Sequence, residues 1–149
     1  LLKAIRLNDH CVPALVNLGY LDMKDGQFAE AETLLNKALT AEPTNADALC
    51  LRAQVELEQG HYDQAIADAR KAHGLTHHFA MVHCTAASAL QRENRIPEAI
   101  AELQLFLKEE PQGPRAEIVR RALLEMPSGP SQGRSGSVNV AGEPVASKR

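Results

Sequence analysis

The sequence contains no tryptophan, and aromatic residues make up only 3% of it. Large rings therefore cannot carry the core. Leucine, alanine and isoleucine must supply it, and a hydrophobic fraction of 44% over 149 residues suffices for one elongated domain. No run approaches the roughly 20 consecutive apolar residues of a membrane span. A secretory leader is also lacking, although the chain does not open with methionine and that lack carries little weight. The formal charge of −3 leaves no basic stripe to displace counterions, so nucleic acid is not expected as a partner. There is no nucleophile elbow, no phosphate-cradling glycine loop and no zincin histidine pair. No catalytic residue, metal or cofactor is expected, and the chain is not read as an enzyme.

What the sequence does have is a period. Frames of 34 residues, 12–45, 46–79 and 80–113, align Gly26 with Gly60, Phe28 with Tyr62 and Ile96, and Ala31 with Ala65 and Ala99. A fixed repeat of this length indicates a solenoid, in which one unit buries its apolar face only when the next docks on it. Within the first frame, Leu15, Leu18 and Gly19, then Ala31, Leu34, Leu35, Ala38 and Leu39, recur at steps of three and four. That is the stripe of a half-buried helix, so each frame predicts two antiparallel helices. Gly26, Gly60 and Asn94 fall between the halves, where a left-handed residue ends the first helix. Pro43 and Pro111 close the second helix in two frames, with His77 in that place in the middle one. Pro97 is compatible with a helix start, where amides are unpaired.

The order of Leu15, Leu18-Gly19, Gly26, Phe28, Ala31, Ala38 and Pro43 resembles the tetratricopeptide repeat family, in its bacterial type, over residues 12–113. The resemblance implies an all-α, right-handed solenoid of antiparallel helix pairs, with Gly19, Ala53 and Ala87 on first helices meeting Ala31, Ala65 and Ala99 on second helices. Phe28, Tyr62 and Ile96 would wedge between layers. Asp22, Glu56 and His83 depart from the family's large apolar positions. Asp22 and Glu56 are read as part of an exposed helix face.

The family resemblance further implies that first helices line a concave binding groove. Its stripe here comprises Val16, Tyr20, Met23 and Lys24, then Asp47, Cys50, Gln54, Leu57 and Glu58, then Met81, Cys84, Ser88, Gln91 and Arg92. Tyrosine and methionine suit a peptide surface. The alternative is that Met23, Leu57 and Met81 only pack between repeats. Members that grip carboxylate tails of chaperones use a Lys and Asn pair, a further Asn and basic residues. The corresponding places hold Val16 and Tyr20, Leu51, and Met81 and Thr85, so a more apolar ligand is expected.

The ends differ from the repeats. Residues 1–11 read as the close of a preceding partial repeat, so the chain is expected to start inside a longer array. Residues 114–126 predict a capping helix with Ala116, Val119, Ala122, Leu123 and Met126 on one face and Arg115, Arg120, Arg121 and Glu125 on the other. Residues 127–149, rich in Ser, Gly, Pro and Val, predict a flexible tail.

Cys11, Cys50 and Cys84 are an odd set. Cys50 and Cys84 sit on neighbouring helices about 8–10 Å apart, too far for a disulfide. Among the histidines, His73 and His77 have ligand spacing with His78 and His83 nearby, but Gly74 and a helix end at Leu75 argue against convergence. His73 is expected to face a helix C-terminus and His83 to be a core or groove residue.

The expected function is protein–protein interaction, with a partner protein or peptide in the concave groove. A structural subunit that assembles by its edges, convex face or tail is the alternative, and association with a membrane-bound complex stays open. Partner identity, oligomeric state and compartment, cytoplasm or periplasm, are left open by the sequence.

Overall fold

The computed structural model describes residues 11–76 and 80–126. Within them run seven helices: α1 (Val12–Lys24), α2 (Phe28–Ala41), α3 (Ala46–Gln59), α4 (Tyr62–Leu75), α5 (Met81–Arg92), α6 (Ile96–Glu109) and α7 (Pro114–Glu125). Consecutive helices pack against each other throughout. The chain is an all-α solenoid of antiparallel pairs, α1/α2, α3/α4 and α5/α6, with α7 on the last pair.

The turns inside the pairs are built three times in the same way. Gly26, Gly60 and Asn94 have positive φ of 77°, 83° and 59°. Just beyond them the amides of Gln27, His61 and Arg95 donate to the carbonyls of Asp22, Glu56 and Leu90, each at 2.8 Å. This six-to-one closure satisfies carbonyls that a helix end leaves open, and it demands the left-handed residue before it. Pro97 lies in the first turn of α6, where it removes no helical hydrogen bond. At the start of α3, Asn45 Oδ1 accepts from the Ala48 amide at 2.9 Å.

Alanine outnumbers every other residue type in the buried core, which lets helix backbones approach closely. Gly19 shows how closely. A Cβ there would meet Leu35 Cγ at 3.0 Å and the Ala31 carbonyl oxygen at 3.4 Å. Ala53, Ala65, Ala87 and Ala99 make the matching approaches in the next pairs, each at most 1% exposed. Larger side chains fill the rest, with Leu15, Leu35, Leu49, Leu90 and Phe106 at 1% exposure or less. Ala116, Val119 and Met126 of the α7 region are buried, the last two in the cluster of Leu103 and Phe106.

The pairs are further joined by polar groups. At the first joint, Arg52 of α3 places Nε 2.6 Å and Nη2 3.0 Å from the two carboxylate oxygens of Asp68 on α4. Its Nη1 donates to Asn36 Oδ1 on α2 at 2.6 Å. One guanidinium thus ties three helices with its planar fork. Glu56 lies in the same joint, 3.6 Å from Arg52 Nε, and is only 6% exposed. This corrects the expectation of an exposed Glu56: its side chain is turned inward, and Oε2 has no hydrogen-bond partner. Burial first, and the charge of Asp68 next, push the Glu56 carboxyl up to about 7.

The expected partial repeat at 1–10, His77 and His78, and the tail at 127–149 lie outside the described residues.

Candidate functional site

The direction of curvature follows from which helices touch. The first helices of successive pairs meet, α1 with α3 and α3 with α5. Among the described residues, no second helix brings its backbone close to the next second helix, and α4 and α6 are bridged only by side chains such as Arg70 and Glu102. Helices that lie closer together occupy the inside of a bend, so α1, α3 and α5 line the concave face.

The fourteen residues assigned to the groove fall on that face with graded exposure. Tyr20 is 45% exposed, and Lys24, Asp47, Glu58, Gln91 and Arg92 are also exposed. Val16, Met23, Gln54, Leu57, Met81, Cys84 and Ser88 are half-buried, and Cys50 is buried. The structure brings five of them together. Met23, Lys24, Gln54, Leu57 and Glu58 line a recess of about 280 Å³ between the first and second pairs, and Phe28 completes its wall. The recess has an apolar floor with a lysine and a glutamate at its edge. The sequence predicts Phe28 only as an interlayer wedge. Its half-buried ring packs on the core and also faces this recess.

Other groove residues serve packing as well. Val16 and Met23 lean on the first core cluster, and Leu57, Met81 and Cys84 on the second. Ser88 Oγ donates to the Cys84 carbonyl one turn earlier at 2.9 Å, and Gln54 Nε2 approaches Cys50 Sγ at 3.7 Å. Burial pushes the thiols of Cys50 and Cys84 up, away from the reactive thiolate, and neither is in a disulfide.

At the far end, α7 departs from a fully solvated cap. Arg115, Arg120, Arg121 and Glu125 are exposed as expected, but so are Ile118 at 68% and Leu124 at 87%.

The family described as anaphase-promoting complex, cyclosome, subunit 3 matches residues 24–105, more than half of the chain. The chain belongs to this family of tetratricopeptide-type repeats. Solved structures share the fold. The tetratricopeptide domain of Arabidopsis OM64 is 25% identical, with a TM-score of 0.69 over 75% of this chain and 93% of that one. The translocator chaperone SycD of Yersinia enterocolitica, in complex with a peptide of the translocator YopD, is 15% identical, with a TM-score of 0.68 over 75% and 86%. MamA is 19% identical, with a TM-score of 0.72 over 81% and 74%. Tetratricopeptide domains mediate protein–protein interactions. No helix among the described residues is long and apolar enough to cross a membrane.

Proposed function

We propose that this tetratricopeptide domain is a non-catalytic interaction module that holds a segment of another protein along its concave face. The observation that carries the reading is the recess shared by α1 and α3, where Met23 and Leu57 supply apolar contact and Lys24 and Glu58 supply opposite charges. Tyr20, exposed one turn before Lys24, extends it as a rigid amphipathic anchor. The peptide complex of SycD supports the class of ligand, since it records a peptide held by a protein of this fold. Carboxylate-tail capture is not favoured, because Val16, Tyr20, Leu51, Met81 and Thr85 stand where the basic and amide clamp would be.

A second reading rests on Ile118 and Leu124, two large apolar side chains left exposed on α7. They favour a subunit that assembles through the end of the solenoid. A pull-down from native lysate, membrane fraction included, separates the two. Partners lost by a Tyr20→Ala, Leu57→Ala variant that stays helical support the groove. Partners lost instead by Ile118→Asp, Leu124→Asp support end-on assembly.

A further inference from the structure

On the outer side of the second joint stand side chains that neither the repeat nor a peptide groove requires. His73 in the last turn of α4, His83 near the start of α5 and Glu109 at the end of α6 bring their ligand-capable atoms within 4.8 Å of one another. His73 Nε2 is 2.7 Å from Glu109 Oε1, and His83 Nε2 is 3.6 Å from the same oxygen. The two imidazoles lie 4.6 Å apart between centroids, tilted by 56°.

Packing alone does not ask for these residues. One period of 34 residues earlier, their places in the first joint are held by Leu39, Leu49 and Leu75. Three leucines there have become two histidines and a glutamate here. Arg52, the cation of the first joint, has become Ala86, which lines a pocket of about 170 Å³ beside His73 and His83. The second joint has thus gained three metal-type ligands, and its guanidinium comes from Arg70, in the column of Asn36, in place of Arg52.

The orientation of His83 is the second observation. The residue is 5% exposed, and its Nδ1 lies 2.8 Å from Glu102 Oε2, the arrangement in which Nδ1–H donates to the carboxylate. Glu102 is itself held by Arg70, whose Nε and Nη2 both donate to Oε1, at 2.9 and 2.8 Å. A carboxylate behind Nδ1 fixes ring and tautomer so that Nε2 presents its lone pair, the support that metal-bound histidines use. That Nε2 is buried and has no hydrogen-bond partner.

We infer that His73 Nε2, His83 Nε2 and the Glu109 carboxylate form a site for a divalent transition-metal ion of the zinc class, with Glu102 and Arg70 as positioning residues. Two imidazoles and one carboxylate suit such an ion, with a fourth position open to solvent. A tetrahedral ion with arms of about 2.1 Å sets its ligand atoms roughly 3.4 Å apart. The 3.6 Å separation already fits. The 2.7 Å contact must open and the widest separation, up to 4.8 Å, must close, and both side chains of the short contact are 27% exposed and lie at helix ends. Arg70 balances Glu102, so Glu109 leaves the site net negative. The bound ion would add a third tie between α4 and α6, beside the Arg70–Glu102 and His73–Glu109 contacts, and so hold the third pair at one angle to the second.

Zinc titration of the whole chain against a chromophoric chelator, paired with cobalt(II) absorption and thermal melts, tests the site. One ion per chain, a four-coordinate cobalt spectrum and a zinc-induced rise in melting temperature are expected. Glu109→Gln and His73→Gln, at the exposed rim, should each weaken zinc on the order of 100-fold while leaving the helical circular dichroism unchanged. Glu102→Gln should weaken it roughly 10–100-fold. His61→Gln, in the exposed α3–α4 turn, should change nothing. Zinc affinity unchanged in both Glu109→Gln and His73→Gln, or no zinc-induced shift in the unsubstituted chain, would overturn the inference.

Discussion

The two joints between repeats share one backbone plan and solve its central problem differently. At the first, Arg52 of the inner helix sits among Asn36, Glu56 and Asp68. At the second, Asp68 is succeeded by Glu102 in the same column, but Arg52 by Ala86, and the positive charge comes from Arg70 on the outer helix while His83 completes the hydrogen bonding of Glu102. The Glu102 carboxyl is held below its usual range by the His83 hydrogen bond and by Arg70, against burial. His83 is raised by the same hydrogen bond. Burial pushes Glu109 up, yet contacts with His73 and His83 outweigh it and leave its carboxyl lowered. A repeat protein can therefore keep its fold while moving its fixed cation from one column to another and setting histidines where leucines stood. The geometry belongs to the backbone and the chemistry to a few columns of side chains.

Breaking the first joint should have the largest effect. Arg52→Ala leaves Asp68 and Glu56 without their cation in a site where both side chains are at most 12% exposed. Removal of one partner from a buried pair costs about 3 kcal/mol. Urea unfolding at pH 7 should show a loss of this size, and a change below about 0.5 kcal/mol would mean that the joint is wet and weak.

Glu56 gives the first joint a pH signature of definite sign. Its carboxyl is raised in the folded chain to about 7, so between about pH 4.5 and 7 only the unfolded chain has lost the proton. Stability from this group is fully present at low pH and is lost as pH rises through about 7. At 1.36 kcal/mol per unit the loss is about 3 kcal/mol. Glu56→Gln should unfold at higher urea than the parent at pH 8, and the advantage should vanish near pH 5. An advantage that grows on acidification would reverse the assignment.

Converting the second joint toward the first sharpens the contrast. His73→Leu with His83→Leu restores the apolar pattern of Leu39 and Leu49. Leucine restores apolar packing, but the buried Glu102 Oε2 loses its His83 partner while Arg70 still holds Oε1, a net loss of about 1 kcal/mol. Melting temperature should fall slightly, and the response to zinc should disappear. The smallest effect is expected in the groove. Tyr20→Ala, at an exposed position, should change stability by no more than about 0.5 kcal/mol while weakening a groove-bound partner.

Much of the architecture was legible in the residues. Gly26, Gly60 and Asn94 marked the left-handed turns, and Gly19 with Ala31 marked the close approach, because each answers to a local steric rule. The stripe along the first helices was legible, since residues three and four apart share a helix face. Which members of it meet was not. The recess depends on how far α1 and α3 are rotated against each other, and Phe28 enters it from the start of α2. Glu56 misled because an acidic residue on a helix is usually solvated, and its inward turn follows from Arg52 reaching across to Asp68. The histidines were read along the chain, where Gly74 and the end of α4 separate them. Comparing columns 34 residues apart would have shown Leu39, Leu49 and Leu75 giving way to His73, His83 and Glu109.

By itself the sequence determined the period, the helix pairs, the turns and the family, since these rest on short-range periodicity and on residue types at fixed offsets. The tertiary structure alone decided that the His73 and His83 rings and the Glu109 carboxylate converge across three helices, that Glu56 is buried, and that Phe28 walls the recess between the first two pairs. Those outcomes depend on the small rotation between stacked pairs, a quantity set by the sum of all side-chain contacts and written in no single position of the chain.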